Sequence, residues 1–141
     1  MGSRRKARII AFQSLFGWEM NRVAVDELVQ FSWLDEERRE HVDPETLSFA
    51  KLIVAGCLEN LDTIDAAIRQ QLENWDFSRL ARVDLAVLRM SVYALFFQKD
   101  IPASVTIDEA IDIVKEFGSD DSYRFINGVL DGIRKAQESL R

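Results

Sequence analysis

The sequence predicts an all-α fold, and three observations lead there. Only six Gly and two Pro occur in 141 residues, about half the roughly 12% of an average chain, so long uninterrupted elements are expected. Apolar residues recur at three- and four-residue spacing in every long segment, and no segment alternates as a half-buried strand would. The chain is 48% apolar with nine Phe, three Trp and two Tyr, too much apolar surface to leave in water and enough for a core without staples.

The first helix is predicted from Ser3, its cap, to Met20, with Ile9, Phe12, Phe16 and Met20 on one stripe and Leu15 beside it. A short helix is expected over Asp26–Leu34, followed by an exposed acidic connection at residues 35–41. Asp43 caps the next helix and Pro44 takes its first position, where the missing N–H does no harm. Leu47, Ala50, Val54, Cys57, Leu58, Leu61, Ile64, Ile68 and Leu72 then keep helical period for seven turns, and Cys57 reads as a small core residue on that stripe. Ser78 is the expected cap of a segment over 79–98 that is apolar on nearly every side, the pattern of a central bundle helix. Asp100-Ile101-Pro102 ends it, and Thr106 with Glu109 reads as a capping box. Ile107, Ala110, Ile111, Val114 and Phe117 give that helix its apolar face, stopped by Gly118. Ser119 is expected to cap the last helix, over 120–138, with Phe125, Val129, Ile133 and Ala136 pointing one way. Gly128 and Gly132, four apart, are expected to admit a closely packed neighbour.

Charge is unevenly placed. The net charge is −6, yet residues 1–18 hold Arg4, Arg5, Lys6 and Arg8 and no acid, so an arm of +4 stands on a body of −10. Such an arm can grip a phosphate backbone while the body suppresses non-specific binding; it also fits a merely solvated end. The arginines sit where the helix dipole disfavours cations, which hints at an external anion. One cysteine excludes a disulfide framework and fits a reducing cytoplasm; one histidine, His41 in the acidic stretch, leaves no Cys/His zinc site or His-based triad. No apolar run reaches a membrane span, and no apolar block after the charged start suggests a secretory signal. Asp108, Asp112 and Glu116 share a helix face, read as solvated rather than as the carboxylates of a metal-dependent nuclease. Asp84, a charge on an apolar helix, is expected to face solvent or a partner.

Four groups of runs stand out: Arg4-Arg5-Lys6-Ala7-Arg8 with Gln13-Ser14-Leu15-Phe16 and Trp18-Glu19; Val83-Asp84-Leu85-Ala86-Val87-Leu88-Arg89 with Tyr93 and Leu95; Ile101-Pro102 with Val105, Ile107-Asp108-Glu109-Ala110, Lys115 and Phe117-Gly118; and Ser122 with Phe125-Ile126-Asn127-Gly128-Val129-Leu130-Asp131. Together they resemble the NusB (N-utilisation substance B) family of bacterial transcription antitermination factors. The resemblance covers nearly the whole chain in the family's order, in pattern only over 21–76. It implies a compact bundle of about seven helices in two subdomains, residues 1–76 and 77–141. It implies a non-enzymatic factor without cofactor or metal. The expected partners are the boxA element of ribosomal RNA transcripts, NusE (a small-subunit ribosomal protein that doubles as a transcription factor) and the antitermination complex on RNA polymerase. A homodimer through the same surfaces stays open. The same fold also occurs fused to RNA cytosine methyltransferases, for whose catalytic domain 141 residues leave no room.

The resemblance assigns RNA contact to Arg4, Arg5, Lys6 and Arg8, with Gln13 extending that surface and Phe125 and Asn127 near the bound RNA. It assigns Phe16 and Asp84 to the NusE side and Asp121 to a position linked to antitermination. The family often has Tyr where this chain has Phe16, which removes a donor there. Phe125 is read equally as a ring for an unstacked base or as a core residue. A helical protein-interaction domain without RNA binding is the competing reading.

Overall fold

The computed structural model describes residues 2–73 and 75–140, with only the backbone described at Gly2 and Ser3; the expected Ser3 cap therefore lies outside the described residues. Among the described residues there is no strand. Eight α-helices follow one another: α1 Gly2–Asn21, α2 Val25–Leu28, α3 Glu36–Glu40, α4 Pro44–Glu59, α5 Leu61–Gln71, α6 Arg82–Phe97, α7 Ala103–Phe117 and α8 Ser122–Ser139, with a 3-10 turn Phe77–Arg79 before α6. The predicted all-α class is the observed one.

The all-round apolar segment is the centre of the bundle. Every residue of α6 from Asp84 to Leu95 is buried, and α1, α4, α5, α7 and α8 all pack on it. Side chains such as Val87, Leu88 and Val92 have no exposed surface, each worth roughly 1.5–3 kcal/mol in apolar burial. Arg89 lies among them at 3% exposure. It is tolerated because its Nε and Nη2 donate to the two carboxylate oxygens of Asp65 at 2.9 Å each, and Nη1 donates to Glu19 at 2.6 Å. The rings of Trp18 and Phe77 lie 5.8 and 5.9 Å from the guanidinium carbon, within cation–π range.

Several local expectations are corrected. The buried stripe of α1 is Ala7, Ile10, Ala11, Phe12, Ser14 and Leu15, while Ile9 and Phe16 are only half-buried and Met20 is 56% exposed. The two alanines let α1 lie close to its neighbours, which turns the stripe away from Met20. Only Val25–Leu28 of the expected 26–34 helix forms, since Phe31 takes a left-handed φ of 52°. The acidic connection contains α3 instead of a plain loop. Asp35 caps it, accepting from the Arg38 N–H, with Glu36 and Glu37 in the first turn and Arg38 and Arg39 in the last. Its stability is local and dipolar, so apolar periodicity gives no sign of it.

The seven-turn helix breaks at Asn60, whose amide donates to the Gly56 carbonyl at 2.8 Å and competes with the helix ladder. Asp43 is at the cap position of α4, but its side chain makes no capping bond. Asp76, not Ser78, supplies the cap before the 3-10 turn, and α6 starts three residues later than expected. Pro102 stands at the start of α7, so Thr106 is a buried residue inside the helix rather than a cap. Gly118 closes α7 as expected, with extended backbone at φ −98° and ψ −172°. Ser119 meets the Ser122 hydroxyl at 2.9 Å instead of capping α8, which follows Asp121. The buried face of α8 is Ile126, Val129, Leu130 and Ile133; Phe125 is half-buried and Ala136 exposed.

The close helix approach predicted at Gly128 occurs elsewhere. A Cβ at Gly128 would meet nothing within 4 Å, whereas one at Gly56 would lie 2.4 Å from the Tyr93 ring. At Gly132 it would meet the end of the Gln71 side chain, which can move. Gly56 is therefore where α4 and α6 come together. Cys57 beside it has no exposed surface, and burial pushes its thiol pKa up to about 12, as its reading as a core residue requires.

Three stability outcomes follow. Arg89→Met strands two carboxylates, one of them buried, and is expected to lower the unfolding free energy in urea by about 3–5 kcal/mol. Gly56→Ala is expected to lower it by about 1–3 kcal/mol through overpacking against Tyr93. Gly128→Ala should raise it by up to about 1 kcal/mol through helix propensity. Gly56→Ala as stable as the parent would refute the packing argument.

Candidate nucleic-acid and partner interface

The arm forms the first turns of α1, and its cations are not uncompensated. Arg5 Nε donates to Glu109 at 3.1 Å and its Nη2 to Asp112 at 2.8 Å; Arg8 Nη1 lies 3.6 Å from the other Glu109 oxygen. Glu109 and Asp112 raise the pKa of Arg5, while burial lowers that of Arg8 against the pull of Glu109. The guanidinium of Arg4 lies 4.0 Å from the centre of the Phe49 ring on α4, at the edge of a groove of about 580 Å³ that also includes Leu52. Lys6 is exposed and, among the described residues, in no ion pair. Asp108, Asp112 and Glu116 are exposed as expected, with Asp112 engaged by Arg5. Among the described residues no group of three His, Cys, Asp or Glu side chains is placed to hold a metal ion.

Phe125 and Asn127 belong to a second place. Phe125 lines a cleft of about 370 Å³ with Gln71, Leu72, Glu73, Trp75, Arg124, Gly128 and Val129, and no arm residue lines it. The rings of Phe125 and Trp75 are 6.0 Å apart, and Trp75 is 62% exposed. Asn127 is exposed on the same helix. Gly128 is on the floor of this cleft, where the lack of a side chain leaves it open. Trp75 escaped the sequence reading, which took Asn74-Trp75-Asp76-Phe77 only as a helix break; an exposed tryptophan in a turn was the available signal.

Phe16, Asp84 and Asp121 are linked at one end of the bundle. Phe16 stacks near Phe12 at 6.4 Å, and Phe12 near Phe117 at the end of α7 at 5.2 Å. Gly118 abuts Ser122, which follows the exposed Asp121 and neighbours Asp84. Of the two surroundings expected for Asp84, solvent or a partner, the first is not found: it is 8% exposed, and one carboxylate oxygen, Oδ1, has no hydrogen-bond partner. Burial pushes its pKa up, and Ser122 offsets this in part. Gln13 also departs from a simple surface role, since its Oε1 is buried without a partner in a recess between α1 and α2.

An all-helical bundle whose charged groups serve ion pairs and exposed clefts is a binding scaffold by class. The comparisons with known proteins then identify it. The family model described as "NusB family" matches residues 5–135. The chain is 50% identical over 135 residues to the transcription antitermination protein NusB of Treponema pallidum, covering 94% of this chain and 93% of that one. A solved structure of NusB from T. maritima superposes with a TM-score of 0.84 at 41% identity, covering 94% of this chain and 90% of that one. A structure of the antitermination factors NusB and NusE in complex with dsRNA superposes with a TM-score of 0.79 at 26% identity, covering 96% and 98%. This chain belongs to the NusB family, whose members are transcription antitermination factors and not enzymes. No helix among the described residues is long and apolar enough to cross a membrane.

Asp84 gives a pH-dependent expectation. Its folded pKa lies above its unfolded value, so its ionised form costs stability above the folded pKa, and that cost vanishes as pH falls below the unfolded value. Asp84→Asn should therefore raise the urea midpoint at pH 7 and leave it nearly unchanged near pH 3. A lower midpoint at pH 7 would show that the charge is satisfied in the free protein.

Proposed function

We propose that this protein binds boxA-type RNA of ribosomal RNA transcripts together with NusE, as a subunit of the antitermination complex on RNA polymerase. The observation that carries this is the +4 arm on the first turns of α1 against a −10 body. The solved complex of a relative with NusE and dsRNA supports the same reading. Arg4, Arg5, Lys6 and Arg8 would meet phosphates. Phe125 beside Trp75 would offer rings to unstacked bases, and Asn127 a hydrogen-bonding amide. Phe16 and Asp121 would form the NusE side, with Asp84 tucked behind them. An acidic body suits a basic ribosomal protein. Cytoplasmic work follows from this role.

A second reading has a specific observation behind it: Arg5 and Arg8 are already paired with Glu109 and Asp112, as in a protein-interaction domain that binds no RNA. A gel-shift with boxA RNA, with and without NusE, separates the two. Binding is expected alone and stronger with NusE, and Arg4→Glu with Arg5→Glu should abolish it while the helical circular dichroism stays intact. Four free phosphate contacts would give a log–log salt slope of about −3 on single-stranded RNA. Because Arg5 and Arg8 must release carboxylates that then recruit cations, the slope should be shallower, between about −1.4 and −3. A salt-independent affinity, or one indifferent to the arm, would favour the second reading.

A further inference from the structure

We infer that the recess between α1 and α2 is a receptor for an arginine side chain of a partner protein. The recess is about 390 Å³. Gln13, Ser14, Gly17, Trp18 and Asn21 of α1 form one wall, and Val23, Glu27, Leu28, Ser32 and Trp33 the other. Four independent features show it to be built. Gln13 lines the recess, and its amide oxygen is buried with no partner; an unmade hydrogen bond at a buried acceptor costs about 1–3 kcal/mol. A Cβ at Gly17 would touch nothing within 4 Å, so the wall is open at that point. The Trp33 indole N–H donates to the Ser14 hydroxyl at 3.2 Å, which pins the far wall to α1. Left-handed backbone at two non-glycine residues, Arg22 at φ 50° and Phe31 at φ 52°, sets the chain just before Val23 and just before Ser32 of that wall, and such conformations persist only where the surroundings impose them.

The lining selects the occupant. Its lining residues include one carboxylate, Glu27, and no cation, a counter-charge for a cation and none for a phosphate. Two indoles, an orphan carbonyl oxygen, the Ser32 hydroxyl and the Asn21 amide call for a planar group rich in donors. A guanidinium meets each requirement: it stacks on aromatic faces and has five N–H donors in a fixed fork, where an ammonium is a compact, strongly hydrated point charge. The same chemistry already occurs next door. The guanidinium of Arg22 lies 4.3 Å from the Trp18 ring and that of Arg38 5.8 Å from the Trp33 ring, and neither arginine lines the recess. The −10 body favours approach of a basic protein in general, and Glu27 supplies the local counter-charge. This face is separate from the arm cations that the RNA reading invokes.

The three tryptophans supply the test. Titrating the intact protein with N-acetyl-arginine amide should shift the indole N–H resonances of Trp18 and Trp33 saturably and leave that of Trp75 in place. N-acetyl-citrulline amide, the neutral isostere, should bind at least about fivefold more weakly. Glu27→Gln should weaken binding roughly threefold to fivefold, and Gln13→Met, which removes the acceptor, should weaken it as well, both with unchanged circular dichroism. The Arg4→Glu, Arg5→Glu protein should bind the probe as the parent does, which keeps this outcome distinct from failure of RNA binding. Equal shifts at Trp75, equal binding of citrulline, no saturable shift, or preferential shifts by uridine monophosphate would overturn the proposal.

Discussion

Three helices of this bundle are registered on one buried guanidinium. Arg89 sits in the most buried helix and reaches Asp65 on α5 and Glu19 near the end of α1, while the Trp18 and Phe77 rings flank it. A charge at 3% exposure is costly to place in an apolar interior unless every donor is met. That demand fixes three elements at once: α5 cannot slide along α6 without losing the bidentate Asp65, and α1 cannot rotate without losing Glu19. Apolar packing alone would tolerate either shift more readily, because it is non-directional. Burial pushes the Glu19 carboxyl up, but the guanidiniums of Arg89 and Arg22 outweigh it and hold that carboxyl below its ordinary range. The register of α1 in turn sets where the arm and the Phe12–Phe16 pair emerge.

That register explains why the cationic arm is both exposed and restrained. With α1 fixed, Arg5 and Arg8 lie over α7 and meet Glu109 and Asp112, while Arg4 lies on Phe49 of α4. The Arg5–Asp112 pair is solvent-exposed and contributes little to folding, whereas Arg8 and Glu109 are mostly covered. Their consequence is electrostatic: the carboxylates lower the local field that a phosphate would meet, and a ligand must outcompete them. Weak intrinsic binding that a second partner strengthens is the natural behaviour of such a surface.

Legibility in the sequence followed the kind of physics involved. Helix class, the central place of α6 and the core role of Cys57 came through because each rests on apolar periodicity summed over many residues. Starts and stops did not, because single polar side chains decide them: Asn60 breaks a seven-turn pattern with one amide, and Pro102 moves the start of α7 past a plausible capping box. The small helix α3 was invisible for a related reason, having no buried residue to mark it. At the site, residue types were readable but their partners were not. Glu109 was seen only as half of a capping box, and nothing along the chain says that it meets Arg5, more than a hundred residues away. Gly128 was misread because a mid-helix glycine signals a missing side chain, and the cause is either a close neighbour or an open cleft. Only the distances around it separate the two.

The same distinction orders the surface as a whole. Where this protein omits a side chain or leaves a polar atom unmet, the neighbourhood divides into two kinds. At Gly56 the space is filled by Tyr93, and the omission serves packing. At Gly17 and Gly128 the space is empty, and each glycine borders a recess with an exposed tryptophan, Trp33 or Trp75. Helix propensity opposes glycine at both positions by about 1 kcal/mol, and no packing gain offsets it in the free protein. That cost is the stability given up to leave the two recesses open, one on α1 and one on α8, on a bundle whose helices α1, α5 and α6 are registered by Arg89; on the functional reading proposed above, the open space is kept for contact.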